Sequence, residues 1–307
     1  MLAVRVWAIQ ELAFHAAGLA CEYCDRSGAL HRFKLRNRST RPVEAYTHEL
    51  PRVLANQLLV LLPCMMLAEC AGLCFTGAPT LPPLRFLASL PMLSIGHDIV
   101  QYMAHRWLLH WPSLWLMGFF RHSVHHATGA ATGISACYMT IPDFFLEIVL
   151  PYLLPMALIG GGSSSLSFHG LVAALGAMGG IYEHSGYDFS DLIPLPVEDK
   201  AAASTGLTPD GTESSESQAA PNAKPGFLRW LPDETRLAVI LFLRDLLSSR
   251  AHAEHHARSK VSFSDGFGSP GICDTLFGTR WDLVPKTHME AEREWQAQRR
   301  RLDAVAE

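Results

Sequence analysis

The sequence predicts an all-α fold: an integral membrane helix bundle of about four to five membrane helices with a cytosolic, histidine-lined di-metal cap. Three observations predict it. Of the 307 residues 49% are apolar and only 18% charged, and several apolar runs reach the roughly 20 residues that cross a bilayer. The histidines cluster, in HRWLLH (His105, His110), HSVHH (His122, His125, His126) and HAEHH (His252, His255, His256). Counting crossings along the chain brings the first two clusters to one membrane face.

Residues 1–20 are apolar but carry Arg5, Glu11 and His15. The basic start, apolar middle and small-residue site of a cleaved signal peptide are not laid out in order, so a partial membrane helix is expected. A basic loop with Arg26, Arg32, Lys34, Arg36, Arg38 and Arg41 follows and faces the cytoplasm by the positive-inside rule. Residues 50–75 read as a membrane helix, GAPTLPP (77–83) as a turn, and 84–104 as the returning helix. Residues 134–160 cross again, GGSSS turns, and 166–183 come back. His105 and His184 then lie on the same side as the basic loop.

The stretch 197–226 is polar and rich in Ser, Ala, Gly and Pro; it has too few apolar residues to form a core and reads as a disordered insertion. Residues 233–247 form an amphipathic helix with Leu237, Ile240, Leu241 and Leu247 on its apolar face. It is too short to span and is expected to lie at the interface. The tail EAEREWQAQRRRLDAVAE reads as a solvated charged helix. The chain thus divides at 1–49, 50–196, 197–226, 227–284 and 285–307.

A net charge of −4 argues against nucleic-acid binding, which needs a basic surface for phosphates. The seven cysteines give no disulfide framework. The pair in CEYC, Cys21 and Cys24, lacks the second pair a zinc site requires.

In HSVHH and HAEHH the histidines fall at i, i+3 and i+4, one face of a helix, so each triplet is expected to aim at one point. His105 and His110 are five apart, about 140° around an ideal helix. Their helix must therefore end, loosen, or offer the two rings from opposite sides of a cavity. His184, in YEHSGYD, is a further candidate. A lone histidine is more often packed than ligating, and His15, His31, His48, His97, His169 and His288 receive no role. Two HxxHH copies together with HRWLLH, all near one membrane face, are different. Neutral imidazole is the commonest nitrogen ligand of iron, zinc and copper. Nine such residues exceed a closed zinc site and suit two metals with open positions. Two adjacent redox metals can split dioxygen and oxidise an unactivated C–H bond, and a lipid substrate explains the membrane location. Asp98, Glu183, Glu254 and Asp274 either orient imidazoles or are solvated or salt-bridged carboxylates. Trp107, Trp111 and Phe119 either line the lipid path or anchor the helices at the interface. No nucleotide, flavin or haem motif is present, so electrons must come from a partner. The residues do not distinguish iron from zinc, and zinc is an option in the isolated protein.

HRWLLH, HSVHH, YEHSGYD and SRAHAEHH, in this order and followed by FGSPGICDTLFGTRWD, resemble the fatty acid hydroxylase/sterol desaturase superfamily of membrane di-iron enzymes. HSGYD and the arginine before HAEHH bring the likeness nearest to sterol 4-methyl oxidases. The resemblance implies two irons held by His105, His110, His122, His125, His126, His184, His252, His255 and His256. It also implies electrons from a b-type cytochrome or an NAD(P)H-dependent reductase, and oxidation of a sterol or fatty-acyl lipid by O2 at the endoplasmic reticulum. A 4-methylsterol monooxygenase is the activity it points to, with a fatty acid hydroxylase or sterol desaturase as the alternative. Three features depart from the pattern: H-x4-H replaces the usual H-x3-H, Ile141-Pro142 stands where the family commonly has His-Pro, and the 197–226 insertion enlarges a short connection. Outside this class, a non-enzymatic membrane metal-binding or transport protein would place its ligands along a path inside the bilayer. An inactive relative kept for lipid binding would have little need of intact clusters.

Overall fold

The architecture is that of a computed structural model, which describes residues 1–35, 45–159, 163–195, 232–264, 266 and 268–287. Among these residues every regular element is helical, and extended pairing is confined to one isolated bridge between Lys34 and Tyr187. Arg36, Arg38 and Arg41, the 197–226 insertion and the tail from 288 onward lie outside the described residues. The chain forms two compact units, Met1–Asp188 with Ser249–Glu307, and Phe189–Ser248.

In the first unit α1 spans Leu2–Ser27. The Glu69 carboxylate accepts the Leu2 and Ala3 amides at 2.8 and 2.9 Å, supplying partners for donors that a helix start leaves unpaired. The helix passes the expected end at residue 20 because no breaker intervenes before Gly28, which closes it in the left-handed region at φ 69°. Arg26 therefore belongs to the last helical turn, 2.9 Å from Glu22, and not to the basic loop.

α2 (Ala45–Asn56) continues through a π-helical turn, Gln57–Leu61, into α3 (Leu62–Cys70). This segment stops short of residue 75, where Gly72 turns the chain at φ 70°. α4 (Pro83–Ala104) starts on a proline, which suits a first turn, and is followed by α5 (Leu114–Phe120) and α6 (Ser123–His126). α7 (Ile141–Phe144) runs through a second π turn, Phe145–Val149, into α8 (Leu150–Ile159). The helix expected from residue 134 begins at Ile141 because Gly133–Cys137 is wound instead as a buried 3-10 turn. Buried Asn56 holds that region, its amide donating to the Cys137 and Met139 carbonyls at 3.0 Å each.

α9 (Leu166–His184) is capped by Ser165, whose Oγ accepts the Phe168 amide. α1 lies along α9, and α4 along α8. The core between these helices is apolar, with Phe14, Val53, Leu61, Met65, Phe144, Met156, Phe168 and Ile181 all buried. The outer faces are apolar too: Leu12, Leu59, Leu67, Leu84, Leu87 and Leu158 are exposed, a pattern that fits a lipid surround. By length and composition, Tyr46–Cys70 and Ile141–Ile159 are suited to cross a membrane. After Ser249 come α11 (Arg250–Arg258) and the short α12 (Ile272–Leu276).

The second unit contains α10 (Asp233–Leu246), matching the amphipathic stretch read at 233–247. Ile240 is buried, while Leu237 and Leu241 remain exposed. Within this unit Arg244 pairs with Asp191 at 3.0 Å.

Candidate metal centre

The i, i+5 problem at His105 and His110 is solved by a third π turn. α4 leaves α-helical winding at His105–Leu109, and the His110 amide bonds the His105 carbonyl at 2.9 Å. This i→i+5 winding carries residue 110 back over residue 105, and the two rings sit with centroids 4.9 Å apart. The helix thus distorts where the histidine spacing requires it.

Nine histidines converge in two groups whose candidate donor atoms lie within 4.8 Å of one another. One group is His105, His110, His122, His126 and His255; the other is His125, His184, His252 and His256. Neither triplet aims at a single point, contrary to expectation. On an α-helix residues i and i+4 are about 40° apart, while i+3 diverges by about 60° to the other side. His122 and His126 accordingly go to the first group and His125 to the second. HAEHH mirrors this, with His252 and His256 in the second group and His255 in the first. The groups adjoin: the His126 and His256 rings are 4.7 Å apart.

Hydrogen bonds fix the orientation of four rings. Nδ1 of His105 donates to the Phe263 carbonyl (2.9 Å), that of His255 to Val261 (2.7 Å) and that of His184 to Gly180 (2.9 Å). His122 Nδ1 faces Asp143 at 2.9 Å. A carbonyl only accepts, so the proton resides on Nδ1 and Nε2 turns a bare lone pair inward. His105 Nε2 then lies 3.1 Å from His122 Nε2. His184 Nε2 lies 3.1 Å from that of His125 and 2.9 Å from that of His252. Where both Nδ1 atoms face acceptors, as in His105 and His122, lone pairs converging at this distance repel unless a cation sits between them; the two contacts of His184 Nε2 can instead be N–H···N bonds from His125 and His252. Neither ring nitrogen of buried His256 has a hydrogen-bond partner among the described residues, which a metal would also satisfy. The donor set therefore fits bound metal.

Burial lowers the histidine pKa values, to about 3 for His110 and His255, with His126 and His110 respectively adding repulsion. The rings are neutral, as ligands must be. Because the folded values lie below the free value, the unfolded chain binds more protons than the folded one between about pH 6.5 and 3. The contribution of His110 and His255 to the stability of the metal-free protein is expected to be full above pH 6.5 and to fall as the pH drops through that window. Thermal unfolding midpoints at pH 7.5 and 5 check this; equal midpoints would mean that the rings are not buried as neutral bases.

The carboxylates divide differently from expectation. Asp143 and Glu147, unnoticed in the sequence, approach the site: Glu147 lies 3.2 Å from His122 Nδ1 and 3.8 Å from His105 Nε2. They are spaced i, i+4 in the otherwise apolar IPDFFLEIVL, and ionisable residues in such a span are a functional signal. Asp98 touches no ring. It accepts from Ser269 Oγ and from the Ile272 and Cys273 amides, all at 2.9 Å, and so caps α12. Asp274 binds the Phe263 and Ser264 amides at 3.0 and 2.8 Å, reaching His105 through the Phe263 carbonyl. Glu254 pairs with Lys286 at 3.3 Å. Glu183 is buried beside His184.

HSGYD and SR before HAEHH form scaffold. Ser249 Oγ donates to the Tyr187 carbonyl (2.6 Å), Arg250 pairs with Asp188 (2.9 Å), and the Tyr187 hydroxyl donates to Asp25 (2.7 Å). These bonds join the start of α11 to the chain just after His184.

A cavity of about 360 Å³, mostly apolar, runs among α1, α4, α8 and α9 and ends on His125, His184 and His252. It also touches His97, which the sequence left without a role. Trp107, Trp111 and Phe119 do not line it. Trp111 and Phe119 are about half exposed, in keeping with an anchoring position, and Trp107 packs on Tyr102 and Phe277.

A helical, membrane-associated protein with histidine groups able to hold metal is the class this fold and site define. The fatty acid hydroxylase family model matches residues 90–203, and this domain supports the fatty acid hydroxylase/sterol desaturase superfamily. No curated protein and no solved structure matches the chain. The match ends before HAEHH, whose three histidines complete both groups.

Proposed function

We propose that the chain is a membrane-bound di-iron oxygenase that oxidises a C–H bond of a sterol or related lipid, with all nine histidines as metal ligands. The observation that carries this reading is the pair of adjoining, inward-facing imidazole groups at the end of an apolar cavity. Two irons held there would supply the dioxygen activation that an unactivated C–H bond requires. The protein's part is to fix each ring through its Nδ1 partner, to keep the imidazoles neutral by burial, and to bring a lipid against His125, His184 and His252 through the cavity. Water is excluded by the same apolar walls.

The finer reading takes α1, α4 and α9 as further membrane segments, giving about four to five in all, with the histidines facing the cytoplasm at the endoplasmic reticulum. Electrons would come from a b-type cytochrome or an NAD(P)H-dependent reductase. A 4-methylsterol monooxygenase is the narrowest reading; its sequence support lies in HSGYD and SR, which are scaffold, so substrate identity depends on assay. Expression in a cell lacking sterol 4-methyl oxidase tests it. Rescue of the sterol profile is the expected result. Iron bound without rescue would shift the activity to hydroxylation or desaturation of another lipid, and a redox-silent metal without oxygen uptake would overturn the oxygenase.

A further inference from the structure

The metal groups and the carboxylates beside them account for one end of the cavity; along its wall two further side chains hold buried polar atoms without a partner among the described residues. Gln101 lines the cavity at 5% exposure, and its Oε1 has no hydrogen-bond partner among the described residues. Tyr152 lines it from α8, and its buried hydroxyl also lacks a partner there. The surrounding walls are apolar, with Leu93, Ile148, Met156 and Val172. A buried acceptor without a donor costs free energy that a bound group would return.

The two groups are close in register. A Cβ on Gly96 would lie 2.7 Å from Pro155 Cβ, so these antiparallel helices are level at 96 and 155. Counting from there, Gln101 and Tyr152 differ by about 3 Å along the axis. Both lie roughly 6–8 Å up the cavity from His105 and Glu147, one turn or slightly more. The amide oxygen needs a donor, and the phenol both donates and accepts. An alcohol oxygen can donate to the amide oxygen and accept from the phenol. A hydrocarbon satisfies neither.

We propose that Gln101 and Tyr152 form a hydroxyl-binding subsite, which makes the preferred ligand of the cavity an alcohol-bearing lipid rather than a plain hydrocarbon or acyl chain. This rests on the lipid-oxidising reading above and deepens it by naming the functional group recognised. Gln101 is a positioning residue: it holds the lipid by an oxygen and so sets which carbon faces the histidines.

The test is equilibrium binding to the full chain in phosphatidylcholine nanodiscs, comparing cholesterol with its 3-deoxy analogue. The wild type is expected to prefer the alcohol about tenfold. Gln101→Leu should reduce that ratio to within about twofold while leaving affinity for the deoxy analogue unchanged, and that unchanged affinity reports a folded cavity. Tyr152→Phe, which removes one oxygen and little else, decides the matter if the leucine variant fails to fold, and should also lower the ratio. A wild type without preference, one that binds neither sterol, or variants that keep the full ratio would overturn the subsite; a water filling the position gives the first of these results. Iron content and oxygen uptake of the same preparation report on the di-iron reading and do not enter the ratio, so the two failures are distinguishable.

Discussion

Replacing His255 with alanine is expected to lower bound iron from about two per chain to about one and to abolish product formation, while the protein still inserts into the membrane. Replacing the adjacent His256 should have the same effect on activity but remove the other metal. The reason is angular. Neighbouring positions on α11 point about 100° apart, and His255 joins the group of His105, His110, His122 and His126, whereas His256 joins His125, His184 and His252. Two consecutive residues thus fall in two different histidine groups. Metal quantification with Mössbauer spectroscopy on both variants checks this, because a group of five imidazoles and a group of four give separate signals. Loss of the same signal in both variants would break the partition, and unchanged turnover in either would remove that residue from the ligand set.

That partition marks the boundary of what the residues alone disclosed. The spacing of His105 and His110 demanded a distortion, and the π turn supplies it, because backbone winding is a local property. The convergence of the three clusters with His184 was also legible, since helix ends on one side of a bundle meet. The division of each triplet was not. The roughly 40° and 60° offsets are present in the spacing, but only the partner helices decide that His125 and His255 cross to the opposite group. Carboxylates misled for a related reason. Asp98, seven residues before His105, shares its helical face, yet the amides of α12 claim it. Asp143 and Glu147 carry a signal in their sequence, two acids one turn apart in an apolar run, but their distance along the chain from His122 hides the ring they face. HSGYD points to a substrate class through resemblance, but beyond His184 its Tyr187 hydroxyl and Asp188 carboxylate bind Asp25 and Arg250, and its Tyr187 carbonyl accepts from Ser249, which is a matter of assembly and not of lipid recognition.

Asp274→Ala should weaken metal retention in the five-histidine group by about 10–100-fold without altering a ligand, the range found when outer-shell partners of metal ligands are removed. Asp274 is buried and accepts from the Phe263 amide, the Ser264 amide and hydroxyl, and Thr279 Oγ1, at 2.6–3.0 Å. The backbone it immobilises presents the Phe263 carbonyl to His105 Nδ1. Removing the carboxylate leaves these buried donors unpaired, a loss of about 1–3 kcal/mol for each that finds no substitute. The turn at 263–264 is then free to rotate its carbonyl away, and the His105 ring loses both its fixed tautomer and its aim. His184, held instead by the Gly180 carbonyl within its own helix, is independent of Asp274, so the four-histidine group should keep its metal. Chelator competition read separately for the two groups tests the point. Asp274→Asn should fall between wild type and alanine, since its amide keeps one acceptor but turns a second donor toward Ser264. Superimposable competition curves for alanine and wild type would show that the Phe263 carbonyl needs no such anchor. Equal loss from both groups would show that Asp274 supports the fold of the whole unit and not one metal.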